Sequence, residues 1–311
     1  VNDQERALLL ELAADLLREG RAEELVSQLA GADEVLSDPP TLGALFELQG
    51  SFAATSRLLD LAALGDPDVP LVLPLPGTAG APGRLVGKAI EVDGIVLGSP
   101  SDQGVAVGTD SDDVLLVSGL QTIPLSGFDP DLGVTRVLGS RPVAHCVPAA
   151  VPGSWDAVQS RAIRALSWEL LGVAGAALGV AQQHVTSRHQ FGRPLAAFQT
   201  VAHRLADAAI AQAGAREVLE ATTADLDLPM QRLVLKALAG RAALTTVQAA
   251  QQVCGAMGFT AEFGLHALVR RAYLLDSLFG GCENAVYELA DLALAGAVPD
   301  RFVELTGSAH A

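Results

Sequence analysis

Twice along this chain the spacing of apolar residues changes period, and that constrains the fold more than any other feature. Up to about Gly65, and again from Trp155 onward, apolar residues recur at helical spacing. Between Asp66 and Gly153 they come instead in short β-type runs separated by turn residues, in the segment that holds most of the prolines. An order of helices, then strands, then helices is not a βαβ alternation, so a Rossmann-type sheet is excluded. With 311 residues, half of them apolar, there is enough material for a substantial core.

Asn2 and Glu5 have the spacing of a capping box and open a helix running to Arg18, with Leu8, Leu9, Leu12 and Leu16 on one face. A second helix is predicted over 22–29 and a third over 41–64, just after Pro39-Pro40. The β-type runs are 90–92, 95–97, 105–107, 114–117 and 134–138, with Asp93-Gly94 and 110–113 as turns, which suggests a small barrel or sandwich. A long helix follows over 155–188, with Leu166, Leu170, Val173 and Ala177 on its buried stripe. Phe191-Gly192-Arg193-Pro194 breaks it, and another helix covers 195–222. Pro229, after Asp227, starts a helix that reaches Cys254 and stops at Gly255; a last pair covers 265–278 and 283–294.

Charge and composition remove several function classes. Twenty basic against 36 acidic residues leave a net charge of −16, which opposes counterion-driven binding to nucleic acid and docking on an anionic membrane. Aromatic residues make up only 4%, too few for a base-stacking platform. Cys146, Cys254 and Cys282 have no paired spacing, so neither a disulfide framework nor a local zinc knuckle is expected, and a reducing cytoplasm fits. The segment Val1-Asn2-Asp3-Gln4-Glu5 lacks the order of a signal peptide, and the longest apolar run, 170–181, is short for a bilayer. The six histidines show no His-x-x-x-His pair, so no metal is expected, and His203 reads as structural. Ser154 and Ser160 have no His–Asp partner pattern, and Gly104-x-x-x-Gly108 is not a phosphate loop.

Three segments carry chemistry. The first is Arg188-His189-Gln190-Phe191-Gly192-Arg193-Pro194, then Phe198-Gln199 and Leu205-Ala206-Asp207. An Arg at a helix end beside a Gly turn presents a planar, permanently charged fork suited to a diphosphate; Gln199 adds a donor and an acceptor, and Phe191 a flat wall. Alone, this reads equally as an ordinary helix–turn–helix corner. The second segment is Gln252-Val253-Cys254-Gly255-Ala256-Met257-Gly258-Phe259-Thr260. The third runs from Arg270-Arg271 to Phe279-Gly280-Gly281-Cys282-Glu283-Asn284.

Together these segments resemble the signatures of the acyl-CoA dehydrogenase family. The resemblance implies an α+β fold: an N-terminal helical domain (1–66), a middle small β-barrel (67–153) and a C-terminal four-helix bundle (154–311). It also implies FAD, whose flavin lies between barrel and bundle of one subunit while a neighbouring subunit grips the ADP half. Arg188 then contacts the diphosphate, with Phe191 and Gln199 close by, and Gln252 and the backbone at Gly255-Ala256 hold the nucleotide end. Ala256 stands where the family has a second Gly.

The flavin side departs from the family. Pro74 stands where a hydroxyl is usual and Leu75 where a carboxylate is usual, in the run 73–80. The family's Lys-x-Trp-Ile-x-Asn after Gly98 is replaced by Ser99-Pro100-Ser101-Asp102-Gln103-Gly104. Family chemistry removes an α-proton with a carboxylate base while the β-hydrogen leaves as hydride to the flavin. The usual base position is Gly280 and the alternative one is Ala162, so no catalytic residue is expected here; Glu169, Asp276 and Glu283 are nearby acids outside those positions. Such asymmetric loss resembles one subunit of the heterotetrameric (α2β2) members from actinobacteria that dehydrogenate CoA-linked steroid side chains. Those features imply a catalytic acyl-CoA dehydrogenase partner subunit, an acyl-CoA held mainly by that partner, and an electron-transfer flavoprotein or similar acceptor. Two other readings stay open: a homomeric dehydrogenase with an unusual base such as Glu169 or Asp276, and a flavin-free scaffold.

Overall fold

The computed structural model describes residues 1–101, 103–127, 129–151, 153–222 and 229–296; Asp102 and Asp227, which figure in the sequence reading, lie outside them. Helices come first: α1 (Asp3–Arg18), α2 (Ala22–Leu29), α3 (Asp33–Leu36), α4 (Pro39–Ser51) and α5 (Leu58–Leu64). The capping box forms, with the Glu5 amide donating to Asn2 Oδ1 at 2.9 Å and the Asn2 amide to Glu5 Oε2 at 3.1 Å. The predicted apolar face of α1 is corrected in part: Leu16 is buried, with Ala13 and Leu17, while Leu8 and Leu12 are exposed, because the helix packs chiefly on α2 and α4.

The single helix expected over 41–64 is broken. Asp38 caps α4, accepting from the Thr41 amide at 3.3 Å, so both prolines lie inside its first turn. The chain then leaves helical geometry at Ala53, whose φ is +47°, and α5 begins five residues later. That break exposes the Ala54 carbonyl and the Thr55 hydroxyl, and both accept hydrogen bonds from Arg271, at 2.6 and 3.2 Å.

The middle of the chain forms two four-stranded sheets. The strands are β1 (Leu71–Val72), β2 (Gly83–Val86), β3 (Ala89–Leu97), β4 (Val105–Gly108), β5 (Val114–Val117), β6 (Gln121–Leu125), β7 (Val134–Pro142) and β8 (Val147–Pro148). Their orders are β1-β4-β5-β8 and β2-β3-β7-β6, and single bridges at Leu73–Ile95 and Gly83–Thr109 join the two sheets. Val72, Ile90, Val92, Val96, Val107 and Val137 fill the space between them. Asp93-Gly94 is not a turn. It sits mid-strand in β3, opposite Leu138 and Val137, so the two short runs are one nine-residue strand. Gly94 is there because a Cβ would fall 2.5 Å from the Leu73 carbonyl; Asp93 is held by Arg136 at 2.7 Å.

The rest is helical: α6 (Trp155–Ser187), a hairpin of β9 (His189–Gln190) and β10 (Arg193–Pro194), α7 (Gln199–Ala221), α8 (Pro229–Cys254), α9 (Leu265–Ser277) and α10 (Gly281–Leu294). At 33 residues α6 is long and apolar enough to cross a membrane, whereas the run 170–181 alone looked too short. Here it is the central core helix: 67% of its most apolar window is buried, and it packs on α4, α5, α7, α8 and α9. Leu166, Leu170, Val173 and Ala177 are all buried. Helices, two small sheets and C-terminal helices follow one another in the order that the sequence implied.

Candidate functional site

Two regions correspond to the two halves of the expected site. The first is one end of the helical bundle. The Arg188 amide closes α6 on the His184 carbonyl at 2.9 Å, and its own carbonyl accepts from the Leu195 amide at 2.9 Å, which clamps the hairpin to the helix end. Phe191 and Gly192 form the hairpin turn in left-handed geometry, with φ of +53° and +79°. That conformation pushes the Phe191 ring outward to 89% exposure, where it meets Phe198 edge-on at 6.1 Å. The Arg193 guanidinium sits 4.0 Å over the Phe198 ring, and Gln199 begins α7 directly after.

At the same end α8 stops at Cys254, and Gly255 turns the chain with φ of +59°. His184 of α6 meets Phe263 edge-on at 5.3 Å, which holds the turn after α8 against the end of α6. Arg188, Phe191, Gln199, Gln252, Gly255 and Ala256 thus lie on two neighbouring turns, and all six are exposed. Met257 and Phe259 add exposed apolar surface beside them, at 51% and 69%. A guanidinium, an amide, a left-handed glycine backbone and flat apolar surface suit a ligand with a diphosphate and a heterocycle, approached from outside the chain.

The second region is the cleft between sheets and bundle, where the family's flavin lies. Here the chain's own residues occupy part of the space. The run 73–80 folds onto the turn between α9 and α10: the Gly77 amide donates to the Ser277 carbonyl at 2.8 Å, Asn284 Nδ2 to the Gly77 carbonyl at 3.2 Å, and Gln159 Nε2 to the Ala79 carbonyl at 3.4 Å. Trp155 inserts between β4 and that turn. Its ring lies 6.4 Å from Phe279, and a Cβ on Gly108 would overlap the indole. Gly280 is buried with φ of +89°, and a Cβ there would sit 3.1 Å from the Ala79 Cβ. Ala162 is fully buried. With no side-chain donor at Pro74 or Leu75 and an indole in the cleft, these residues do not fit a flavin.

Beside the sealed turn remains a cavity of about 460 Å³ that meets Gln159, Ile163, Arg232, Lys236, Phe279 and Asp291. Arg232 pairs with Asp156, and Lys236 Nζ donates to the Leu275 carbonyl at 3.0 Å. Burial pushes the Lys236 amine down to about 8, with the nearby Asp276 opposing the shift. Sequence reasoning missed this group; one of only two lysines, placed mid-helix in an apolar segment, was the available signal.

Glu169 and Asp276, the acids named as substitute bases, each hold internal contacts. Glu169 is buried beside Arg271, 3.5 Å from its guanidinium, and accepts from Gln49 Nε2 at 3.1 Å. Burial raises its pKa, opposed first by the Arg271 charge. Arg271 in turn pairs with Asp129 at 2.6 Å, with both side chains inaccessible, which ties α9 to the loop before β7. Asp276 Oδ1 accepts the Cys282 amide at 3.1 Å and fixes the first turn of α10. Glu283 is exposed on α10.

Comparison with known proteins follows the same lines. The family described as acyl-CoA dehydrogenase, C-terminal domain, matches residues 160–290. The acyl-CoA dehydrogenase FadE34 of Mycobacterium tuberculosis is 30% identical over 87% of this chain, which spans only 36% of that protein's length. Among solved structures, the ChsE4–ChsE5 complex from Mycobacterium tuberculosis superposes with a TM-score of 0.71 at 20% identity, covering 96% of this chain and 99% of that one. The Tcur3481–Tcur3483 steroid ACAD G363A variant gives 0.70 at 22% identity, with coverage of 94% and 98%. These comparisons show an acyl-CoA dehydrogenase C-terminal domain over residues 160–290 and the acyl-CoA dehydrogenase fold over the chain.

Proposed function

We propose that this chain is the non-catalytic subunit of an α2β2 FAD-dependent acyl-CoA dehydrogenase. It completes the FAD site of a catalytic partner and has closed its own. The observation that carries this reading is the contrast between the exposed bundle end and the cleft, where Pro74 and Leu75 offer no side-chain donor and the Trp155 indole is inserted. Arg188 holds the diphosphate of the partner's FAD, Phe191 and Gln199 flank it, and Gln252 with the Gly255-Ala256 backbone lies along the nucleotide end. When bound, FAD supplies the hydride acceptor. This chain's own residues position it and supply no proton acceptor, since Gly280 and Ala162 stand at the two base positions. The α-proton is therefore removed by a carboxylate of the partner.

The substrate is a bulky CoA thioester of the steroid side-chain type, bound mainly by the partner, and electrons pass to an electron-transfer flavoprotein or similar acceptor in the cytoplasm. Names of structural neighbours support the class, one being a two-protein complex and another a steroid ACAD. The domain limits 1–66, 67–153 and 154–311 belong to the same reading. Coexpression with a family member that has an intact base Glu tests it. The purified complex is expected to be yellow and to desaturate the acyl-CoA, and Arg188→Ala is expected to strip its flavin. Full flavin retention in Arg188→Ala contradicts the assigned role.

A further inference from the structure

The charge balance of α8 and α9 runs against that of the whole chain. Acids outnumber bases by 36 to 20 overall, yet these two helices hold Arg232, Lys236, Arg241, Arg270 and Arg271 against a single acid, Asp276. Three of those cations are committed inside the molecule: Arg232 to Asp156, Lys236 to the Leu275 carbonyl, and Arg271 to Asp129 and Glu169. Asp276 is committed too, to the Cys282 amide. Arg270 differs from them. Its Nε is buried and has no hydrogen-bond partner among the described residues, and the buried Nδ1 of His266, one turn earlier on α9, has none either.

Both residues look away from the core. At about 100° per residue, His266, Arg270 and Tyr273 share one narrow sector of α9. Leu268, Ala272 and Leu275 occupy the opposite, buried side. Residues four apart on a helix have Cβ atoms about 5–6 Å apart, so the two unpartnered nitrogens are within reach of one ligand. Tyr273 accepts from Gln248 Nε2 at 2.9 Å, which joins this sector to the outer stripe of α8. That stripe is Arg241, Thr245, Gln248 and Gln252, all exposed. Gln252 belongs to the nucleotide grip, so the α9 face is continuous with the surface already assigned to the partner's FAD. Buried N–H groups without acceptors are destabilising and rare in native chains, and two on one face mark a surface that another group completes.

We propose that this face of α9 is covered by the catalytic partner subunit, and that an Asp or Glu of that subunit pairs with Arg270 and His266. The inference rests on the proposed subunit role and gives that role a surface. A carboxylate is the acceptor that matches a guanidinium fork. A second copy of this chain does not supply it: an isologous contact sets the same patch against itself, and Asp276, the one acid of α8 and α9, is already committed on the inner side.

The test uses the complex coexpressed with a family member that has an intact base Glu. Arg270→Glu is expected to weaken subunit assembly about thirtyfold or more, read by sedimentation on dilution, while the melting temperature of the isolated chain stays unchanged. Carbodiimide treatment of the Arg270→Lys complex is expected to form an amide cross-link between position 270 and an Asp or Glu of the partner, located by mass spectrometry. A cross-link within this chain or between two copies of it overturns the inference, as does the absence of any cross-link at position 270. A lower melting temperature of the isolated Arg270→Glu chain also overturns it, because that result marks a partner inside the chain. An intact wild-type complex that Arg270→Glu leaves equally tight overturns this inference alone, whereas failure of the wild-type chain to assemble overturns the subunit reading together with it.

Discussion

The bundle end and the barrel–bundle cleft belong to the same family blueprint and have opposite fates in this chain. At the bundle end, Arg188, Phe191, Gln199, Gln252 and Gly255 stand in solvent on two clamped turns. In the cleft, Trp155, Ala79 and Phe279 are packed together, and the base position is a buried glycine. A site kept for use by another chain has to stay open. A site no longer used is free to be filled by its own side chains, and filling it gains apolar burial. On the proposed reading, the difference separates a half-site kept for a partner from one given up.

Variants can break this contrast, and the largest effect is expected where the sealed side is tied to the rest. Arg271→Met removes one partner of a fully buried ion pair and leaves Asp129 and Glu169 uncompensated, so chemical denaturation is expected to show a loss of about 3–5 kcal/mol. Trp155→Ala empties the packing between β4 and Phe279 and is expected to cost about 3 kcal/mol by the same measurement. It does not create a flavin site, since Pro74 and Leu75 still supply no donor; flavin uptake by Trp155→Ala would break the contrast.

At the open end the balance reverses. Arg188→Ala is expected to leave the unfolding free energy of the isolated chain within about 0.5 kcal/mol of wild type, as for an exposed side chain. In the complex the same change is expected to weaken FAD by about 1.5–3 kcal/mol, read as flavin released on dilution. Gly280→Glu, which restores the family's usual base residue type, is expected to give no desaturation. Left-handed backbone at φ of +89° and contact with Ala79 make that change cost about 1–3 kcal/mol instead.

A pH slope is expected from Lys236. Its amine titrates near 8 in the folded chain and near 10.5 when unfolded, so between those values the unfolded chain holds more protons. Folding stability from this group therefore rises as pH goes from 8 to 10.5. Melts of wild type against Lys236→Met are expected to converge over that range, and a constant difference would contradict the buried, charged assignment.

How much was legible beforehand depended on whether a signal was local. Caps and breakers act within one turn, so the spans of α1 and α2, the stop at Gly255 and the helix break at Phe191-Gly192 read correctly from sequence, while the hairpin at that break did not. Asp93-Gly94 misled because a glycine serving a close sheet contact looks the same in sequence as one serving a turn. The break at Ala53 was invisible because its partner, Arg271, lies more than 200 residues away. On the site, residue types at motif positions were readable, including Gly280 and Ala162 where the resemblance places a base. Trp155 filling the cleft, Glu169 locked to Arg271 and the buried Lys236 depend on packing between distant segments, which no single stretch of sequence encodes.

The most direct measurement of the central claim is a flavin count on this chain purified alone and on its complex with a catalytic family member. The account predicts a colourless chain and one FAD per unlike pair. One FAD per chain on this protein by itself would contradict it.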